Sequence, residues 1–255
     1  MYYSVCVPAI YRGMPFPEAL ERVRRAGYDY YEFWGWWELD LETLSRVQRR
    51  LSLTPAAMCA RFIPLNDPER RADFVKGLRE TVEASERIGC TGLIAQAGPE
   101  MPGIPHEAQM DSVADGLRAC VPVLEASGRI LMLEPLNTQI DHPGYCLPLS
   151  EDAFRIADAV GSPHVKVLYD AYHQHITGED TIGQIRRYTA QIGHIHIAGH
   201  PGRHEPLGES EIDFGALYAA LRQAGYNGGV GLEYFPLKDP EEGLRKLMVG
   251  FPLRA

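Results

Sequence analysis

Apolar strand-like runs and amphipathic helical stretches alternate eight times along this chain, with no linker or change of composition between them. The expected strands are Tyr2–Val7, Tyr28–Trp34, Thr54–Ala60, Thr91–Gln96, Arg129–Glu134, Val165–Asp170, His194–Ala198 and Gly229–Tyr234. The expected helices are Pro17–Ala26, Leu41–Leu51, Asp67–Gly89, His106–Ser127, Ser150–Val160 (capped by Ser150), Asp180–Ile192, Asp213–Ala224 and Pro240–Val249. Strands separated by helices run parallel, and parallel sheets covered on both faces show such unbroken apolar runs. Eight units in 255 residues fit one closed (β/α)₈ TIM barrel, read here as a single domain over 1–255. An open doubly wound sheet would want a glycine-rich phosphate turn after its first strand. The segment VPAIYRGMP has no GxGxxG.

Charge and cysteine usage narrow the class. Lys and Arg number 25 against 34 Asp and Glu, a net charge of −9. An acidic chain has no electrostatic reason to bind nucleic acid or an anionic membrane surface. Five dispersed cysteines without a CxxC pair read as reduced thiols, and MYYSVCVPAIYRG has no signal-peptide pattern. The expectation is a cytoplasmic protein acting on a small-molecule substrate, with no nucleic-acid or membrane partner.

In such barrels the chemistry sits at the C-terminal ends of the strands. The fifth strand ends LMLEPLN and delivers Glu134; the sixth ends KVLYDAYH and delivers Asp170, with His173 three residues on. The seventh, HIHIAGH, presents His196 in phase with His194, and the eighth, VGLEYFP, delivers Glu233. Three carboxylates and one imidazole suit a divalent cation, with Mn²⁺ or Mg²⁺ favoured, and the absence of cysteine argues against structural zinc. Without a cation the crowded carboxylates would repel one another. Glu134, Asp170, His196 and Glu233 are therefore the expected metal ligands. His194, two residues deeper, is read as a packing residue.

Two carboxylates flanking one metal can take up a hydroxy-ketone whose adjacent oxygens chelate the ion. Glu134 and Glu233 are then the expected catalytic pair. One removes the proton next to the carbonyl and the other delivers it, passing through an enediolate, in aldose–ketose isomerisation or in epimerisation beside a ketone. Arg203 and His173 are expected substrate contacts, against the alternatives of a surface charge and a packed side chain; His175 and His200 are expected to face solvent. Phe33, Trp34, Trp36, Trp37 and Phe62 could wall the mouth, or Trp36 and Trp37 could form a homo-oligomer contact in a dimer or tetramer. Glu32 reads either as an acceptor behind the site or as a stabiliser of the barrel interior.

GYDYYEF, LEPLN, YDAYH, GHIHIA with HPGRHEP, and GGVGLEY resemble, in order and spacing, the hydroxypyruvate isomerase family. This family lies within the xylose-isomerase-like TIM barrel superfamily, which also holds the ketose 3-epimerases. The resemblance implies the same barrel, Glu134 and Glu233 as proton donor and acceptor as well as metal ligands, and Asp170 and His196 completing the metal sphere. It implies a hydroxypyruvate/tartronate semialdehyde type of substrate, with a ketose 3-epimerase on free keto sugars as the alternative. His196 stands where bacterial hydroxypyruvate isomerases often carry Gln and the epimerases carry His. His173 and Arg203 match positions that contact substrate oxygens in the epimerases. IAG instead of IAD after the seventh strand, and CARFIPLNDP after the third, depart from the family on substrate-facing loops.

Overall fold

The computed structural model describes residues 1–253. Its strands are β1 (Tyr2–Cys6), β2 (Tyr30–Phe33), β3 (Thr54–Cys59), β4 (Gly92–Ala95), β5 (Ile130–Leu133), β6 (Val165–Asp170), β7 (Ile192–Ile197) and β8 (Gly229–Leu232). They form a closed barrel in sequence order, every neighbouring pair parallel, with β8 returning to β1. The helices are α1 (Val7–Ile10), α2 (Phe16–Arg25), α3 (Leu41–Leu51), α4 (Arg71–Ile88) and α5 (His106–Ser127), followed by α6 (Ser150–Val160), α7 (Ala171–Ile176), α8 (Thr181–Tyr188), α9 (Phe214–Gln223) and α10 (Pro240–Gly250).

Side chains alternate across each strand, and the two faces have different chemistry. Val5, Tyr31, Met58, Leu93, Leu131, Val167, Ile195 and Val230 point outward into the apolar layer beneath the helices. Ala57, Cys59, Ile94, Met132 and Leu168 form a smaller apolar cluster of their own, drawn from β3 to β6. Ser4, Glu32, His194 and His196, from β1, β2 and β7, are buried polar groups in contact with one another. One half of the barrel interior is thus apolar and the other is an ion-paired network.

Several elements differ from the pattern expected. Ile192 opens β7 rather than ending a helix, because the helical run stops at Tyr188 and a 3₁₀ turn covers Thr189–Gln191. Two short helices were not expected. Pro8 sits in the first turn of α1, where its missing N–H is harmless, and so ends β1 at Cys6. Asp170 starts α7 by accepting hydrogen bonds from the N–H groups of Tyr172 at 2.8 Å and His173 at 3.3 Å. Ser150 is not the cap of α6: it is the first helical residue, its N–H donates to Gln174 and Glu179, and its hydroxyl donates to Glu179. Among the described residues no helix is long and apolar enough to cross a membrane.

Candidate functional site

The register that closes the barrel also assembles the site. Asp170 pairs with His196 and His196 with Gly231, so strand ends of β6, β7 and β8 stand side by side. Glu134 follows β5 directly and Glu233 follows β8; their backbone N–H groups donate to Ala95 O and Ile197 O at 3.0 and 3.3 Å, which continues the ladders by one residue. The four side chains are buried, and each offers a ligand atom within 4.8 Å of the others. His196 Nδ1 lies 3.6 Å from Glu134 Oε1 and 3.4 Å from Glu233 Oε2. Sequence reasoning placed these four together, and the structure brings them together.

His196 is held from below. Its Nε2 is 3.1 Å from Glu32 Oε1, while Glu32 Oε2 contacts His194 Nε2 at 2.8 Å and accepts from the Ser4 hydroxyl at 2.8 Å. Nε2 faces Glu32 and Nδ1 faces the mouth, the placement of a histidine backed by a carboxylate; a dication bound at Nδ1 would take the place of a proton there. Glu32 thus stands behind the site and inside the barrel, combining the two roles left open from the sequence. Gly231 makes the room: a Cβ there would meet Glu32 Oε1 at 2.4 Å, His196 Cδ2 at 2.6 Å and His194 Nε2 at 2.8 Å.

The charges of the cluster are strongly perturbed. Burial raises the pKa of Glu134 to about 7; His196 opposes this, and the charges of Glu233 and Asp170 add to it. Burial likewise raises Asp170 against the pull of Arg203 and His196. Glu233 is buried too, yet Arg203 and His196 hold it well below the usual carboxylate range. Burial would also raise Glu32, but His196 and His194 bring it down to about 2. Burial opposes a charge on His196, whereas Glu32 and Glu233 favour it and lift its pKa well above the ordinary value. Three mouth carboxylates therefore lean on two cations, His196 and Arg203. Among the described residues, neither Nδ1 nor Nε2 of the buried His196 ring makes a hydrogen bond, so the ring is held at Nε2 only by its 3.1 Å ion-pair approach to Glu32. An orphaned imidazole nitrogen facing carboxylate oxygens fits a divalent cation bound by Glu134, Asp170, His196 and Glu233.

Arg203 reaches into this cluster from the loop after β7. Its guanidinium hydrogen-bonds Glu233 Oε2 and lies 3.6 Å from Asp170 Oδ2 and 3.7 Å from Asp141 Oδ1. Its backbone is left-handed, with φ 57°, a conformation costing a non-glycine residue about 1–2 kcal/mol. The Phe235 N–H donating to Arg203 O at 2.8 Å and the stacking of the guanidinium over Tyr172 and Phe235 hold it there. His173 is fully buried on α7. Asn137 donates from Nδ2 to His173 Nδ1 at 2.6 Å, and the orientation of this amide is fixed by Asp141 and by the N–H groups of Ile140 and Asp141. The proton of His173 is thereby placed on Nε2, 3.5 Å from Asp170 Oδ2. Burial, and then the charge of Arg203, holds His173 well below its usual pKa, so the ring is neutral.

Glu134, His173, His196, Arg203 and Glu233 line a cavity of about 220 Å³ walled by Trp34, Phe62 and Phe235. It adjoins a second cavity of about 250 Å³ through Phe62, Gln96 and His142. Among the described residues, Arg203 is the only Lys or Arg lining the first. Two expectations need correction. Trp36 and Trp37 are not freely exposed: both are partly buried under the Arg61 guanidinium, and the Trp36 indole N–H donates to Thr81 at 3.2 Å. His175 and His200 do not point freely into solvent; both contact Glu211.

Sequence reasoning missed three supporting residues, Tyr145, Asn137 and His142, and read Trp34 only as an apolar wall. The Trp34 indole N–H donates to Glu233 Oε1 at 2.8 Å, and the Tyr145 hydroxyl donates to Glu134 O at 2.9 Å while accepting from Ala97 N–H. Asn137 and His142 complete the surroundings of His173. Asn137 was within reach, because it lies three residues past Glu134 on a mouth loop. Tyr145 had no local signal.

Residues 20–249 match the xylose isomerase-like TIM barrel family. A Homo sapiens protein bearing the hydroxypyruvate isomerase name is 35% identical over 69% of this chain; the match spans 65% of the human protein. The hydroxypyruvate isomerase of Escherichia coli is 28% identical over 95% of this chain and 96% of its own length. The 2-oxo-tetronate isomerase of Cupriavidus necator is 34% identical over 69% of this chain and 66% of its own. Among solved structures, an AP endonuclease, family 2, from Brucella melitensis superposes with TM-score 0.88 at 26% identity, covering 98% of this chain and 99% of that one. An L-ribulose 3-epimerase shares the fold at TM-score 0.83 and 20% identity, over 99% of this chain and 95% of that one.

Proposed function

The chain belongs to the xylose isomerase-like TIM barrel family, and from that membership and the mouth geometry we propose that it is a metal-dependent isomerase of a small hydroxy-keto acid, of the hydroxypyruvate/tartronate semialdehyde type. The observation that carries this reading is the buried set of Glu134, Asp170, His196 and Glu233 at the end of a cavity with one guanidinium, Arg203, at its wall. Relatives spanning most of the chain carry isomerase names. A cavity of about 220 Å³ is smaller than the roughly 300–1,000 Å³ of sites for drug-sized ligands and suits a compact substrate.

A divalent cation held by the four residues, Mn²⁺ or Mg²⁺ by its oxygen-rich donor set, would stabilise negative charge developing on the adjacent oxygens of the substrate. The remaining steps belong to the protein. Arg203 takes the substrate carboxylate in a bidentate contact. His173 donates from Nε2 to a substrate oxygen. One of Glu134 and Glu233 removes a proton from the hydroxymethyl carbon, giving an enediolate; the hydroxyl proton passes to the neighbouring oxygen and the other glutamate returns a proton to the former carbonyl carbon, completing the isomerisation. Trp34, Phe62 and Phe235 keep water from the enediolate.

The adjoining cavity at Gln96 and His142 favours a second reading, a ketose 3-epimerase holding a longer free sugar shifted by one carbon over the same pair of Glu. Incubation with Mn²⁺ and either hydroxypyruvate or a ketohexose separates the two by product. Tartronate semialdehyde from hydroxypyruvate supports the first reading, and a 3-epimer without any keto-acid product replaces it with the second.

A further inference from the structure

A second group of metal-ligating side chains stands apart from the mouth cluster. His175 lies on α7, His200 on the loop after β7, and Glu211 on the segment leading to α9. Each offers a ligand atom within 4.8 Å of the other two. His200 Nδ1 and His175 Nε2 approach the same oxygen, Glu211 Oε2, at 3.1 and 3.5 Å. The two imidazole rings are 5.1 Å apart. Tetrahedral zinc with bonds of about 2.0–2.1 Å has neighbouring ligand atoms about 3.3 Å apart, and the two separations bracket that value.

The three residues are also held in place. The Glu211 N–H donates to His200 O at 2.8 Å and the His200 N–H donates to the Ser210 hydroxyl at 3.3 Å, so the two strands of the loop carry their ligands as one unit. The His200 ring also packs against Tyr172 of α7. Both histidines are partly covered, while Glu211 is exposed and reaches both from the solvent side. Two imidazoles and one carboxylate make a softer donor set than the mouth cluster, one that prefers Zn²⁺ and its neighbours to Mg²⁺ or Ca²⁺.

We infer that His175, His200 and Glu211 form a second metal site, for a transition-metal ion of the Zn²⁺ class, that clips the 199–212 segment to α7. The clipped segment carries Arg203 and α7 carries His173, so the ion fixes two mouth side chains relative to each other without touching the reacting atoms. The remaining coordination positions face solvent and are filled by water.

Tag-free protein dialysed against micromolar ZnCl₂, with bound zinc counted by elemental analysis, tests this in the wild type, in His200→Ala and in His175→Gln, each checked for folding by circular dichroism. Each variant is expected to hold one equivalent of zinc fewer than the wild type. Zinc is also expected to slow amide exchange over 199–212 in the wild type and not in the variants. A fall from one equivalent to none supports the second site as well as a fall from two to one, so failure of zinc to load the mouth cluster is read separately. Equal zinc contents in all three proteins overturn the inference, as does unchanged exchange over 199–212 in zinc-loaded wild type.

Discussion

Glu32 Oε1 lies 3.1 Å from His196 Nε2, so a carboxylate inside the barrel orients the imidazole whose other nitrogen faces Glu134 and Glu233. Carboxylates placed behind a ligating histidine typically change metal affinity about 10–100-fold when removed. Glu32→Gln is therefore expected to weaken Mn²⁺ binding by about that factor in a calorimetric titration. Unaltered affinity would mean that Glu32 serves only the barrel interior.

Gly231 is the position at which this network is most sensitive to volume. A methyl group would press on Glu32, His194 and His196 at 2.4–2.8 Å, and none of the three can withdraw, because all are buried and mutually paired. Overpacking of this kind costs about 1–3 kcal/mol. Gly231→Ala is expected to lower the unfolding free energy from a urea titration by that amount and to reduce turnover through the displaced His196. A variant as stable and as active as the wild type would show that the interior is loosely packed.

The barrel is tied shut on the outside by Glu241 of α10, which accepts from Arg25 of α2 at 2.8 and 3.0 Å and lies 3.7 Å from Arg22. The hydrogen bonds from Arg25, followed by its charge, lower the Glu241 pKa. A lowered folded-state pKa means stability that is present above the unfolded value and lost as pH falls through the folded value. Glu241→Gln should reduce Tm by about 1–3 °C near pH 7, with the gap to wild type closing in acid. A gap that widens on acidification would contradict this assignment.

Much of this architecture was legible because it rests on local periodicity. Eight apolar runs followed by eight helical patterns are enough to imply the barrel, and once strand ends are known, Glu134, Asp170, His196 and Glu233 fall at one mouth. Boundaries that depend on single residues were less visible: Ile192 is as compatible with a helix as with a strand, and only its pairing with Val167 places it in β7. The two-way split of the barrel interior was hidden for another reason. Whether Glu32 faces inward and meets histidines 162 and 164 residues away depends on register across closure, which no local pattern encodes. Tyr145 and Trp34 reach the site from loops, where side-chain direction follows from tertiary packing alone.

The most direct test follows deuterium. Purified protein with Mn²⁺ and hydroxypyruvate in D₂O, observed by NMR, is expected to form tartronate semialdehyde carrying deuterium on the carbon that was the carbonyl. Glu134→Gln and Glu233→Gln are each expected to lower that rate by about 10²–10⁴ while remaining folded, and EDTA treatment is expected to abolish it. Full turnover in either variant, or undiminished conversion in protein shown by elemental analysis to be metal-free, would contradict a metal-dependent reaction carried by two glutamates.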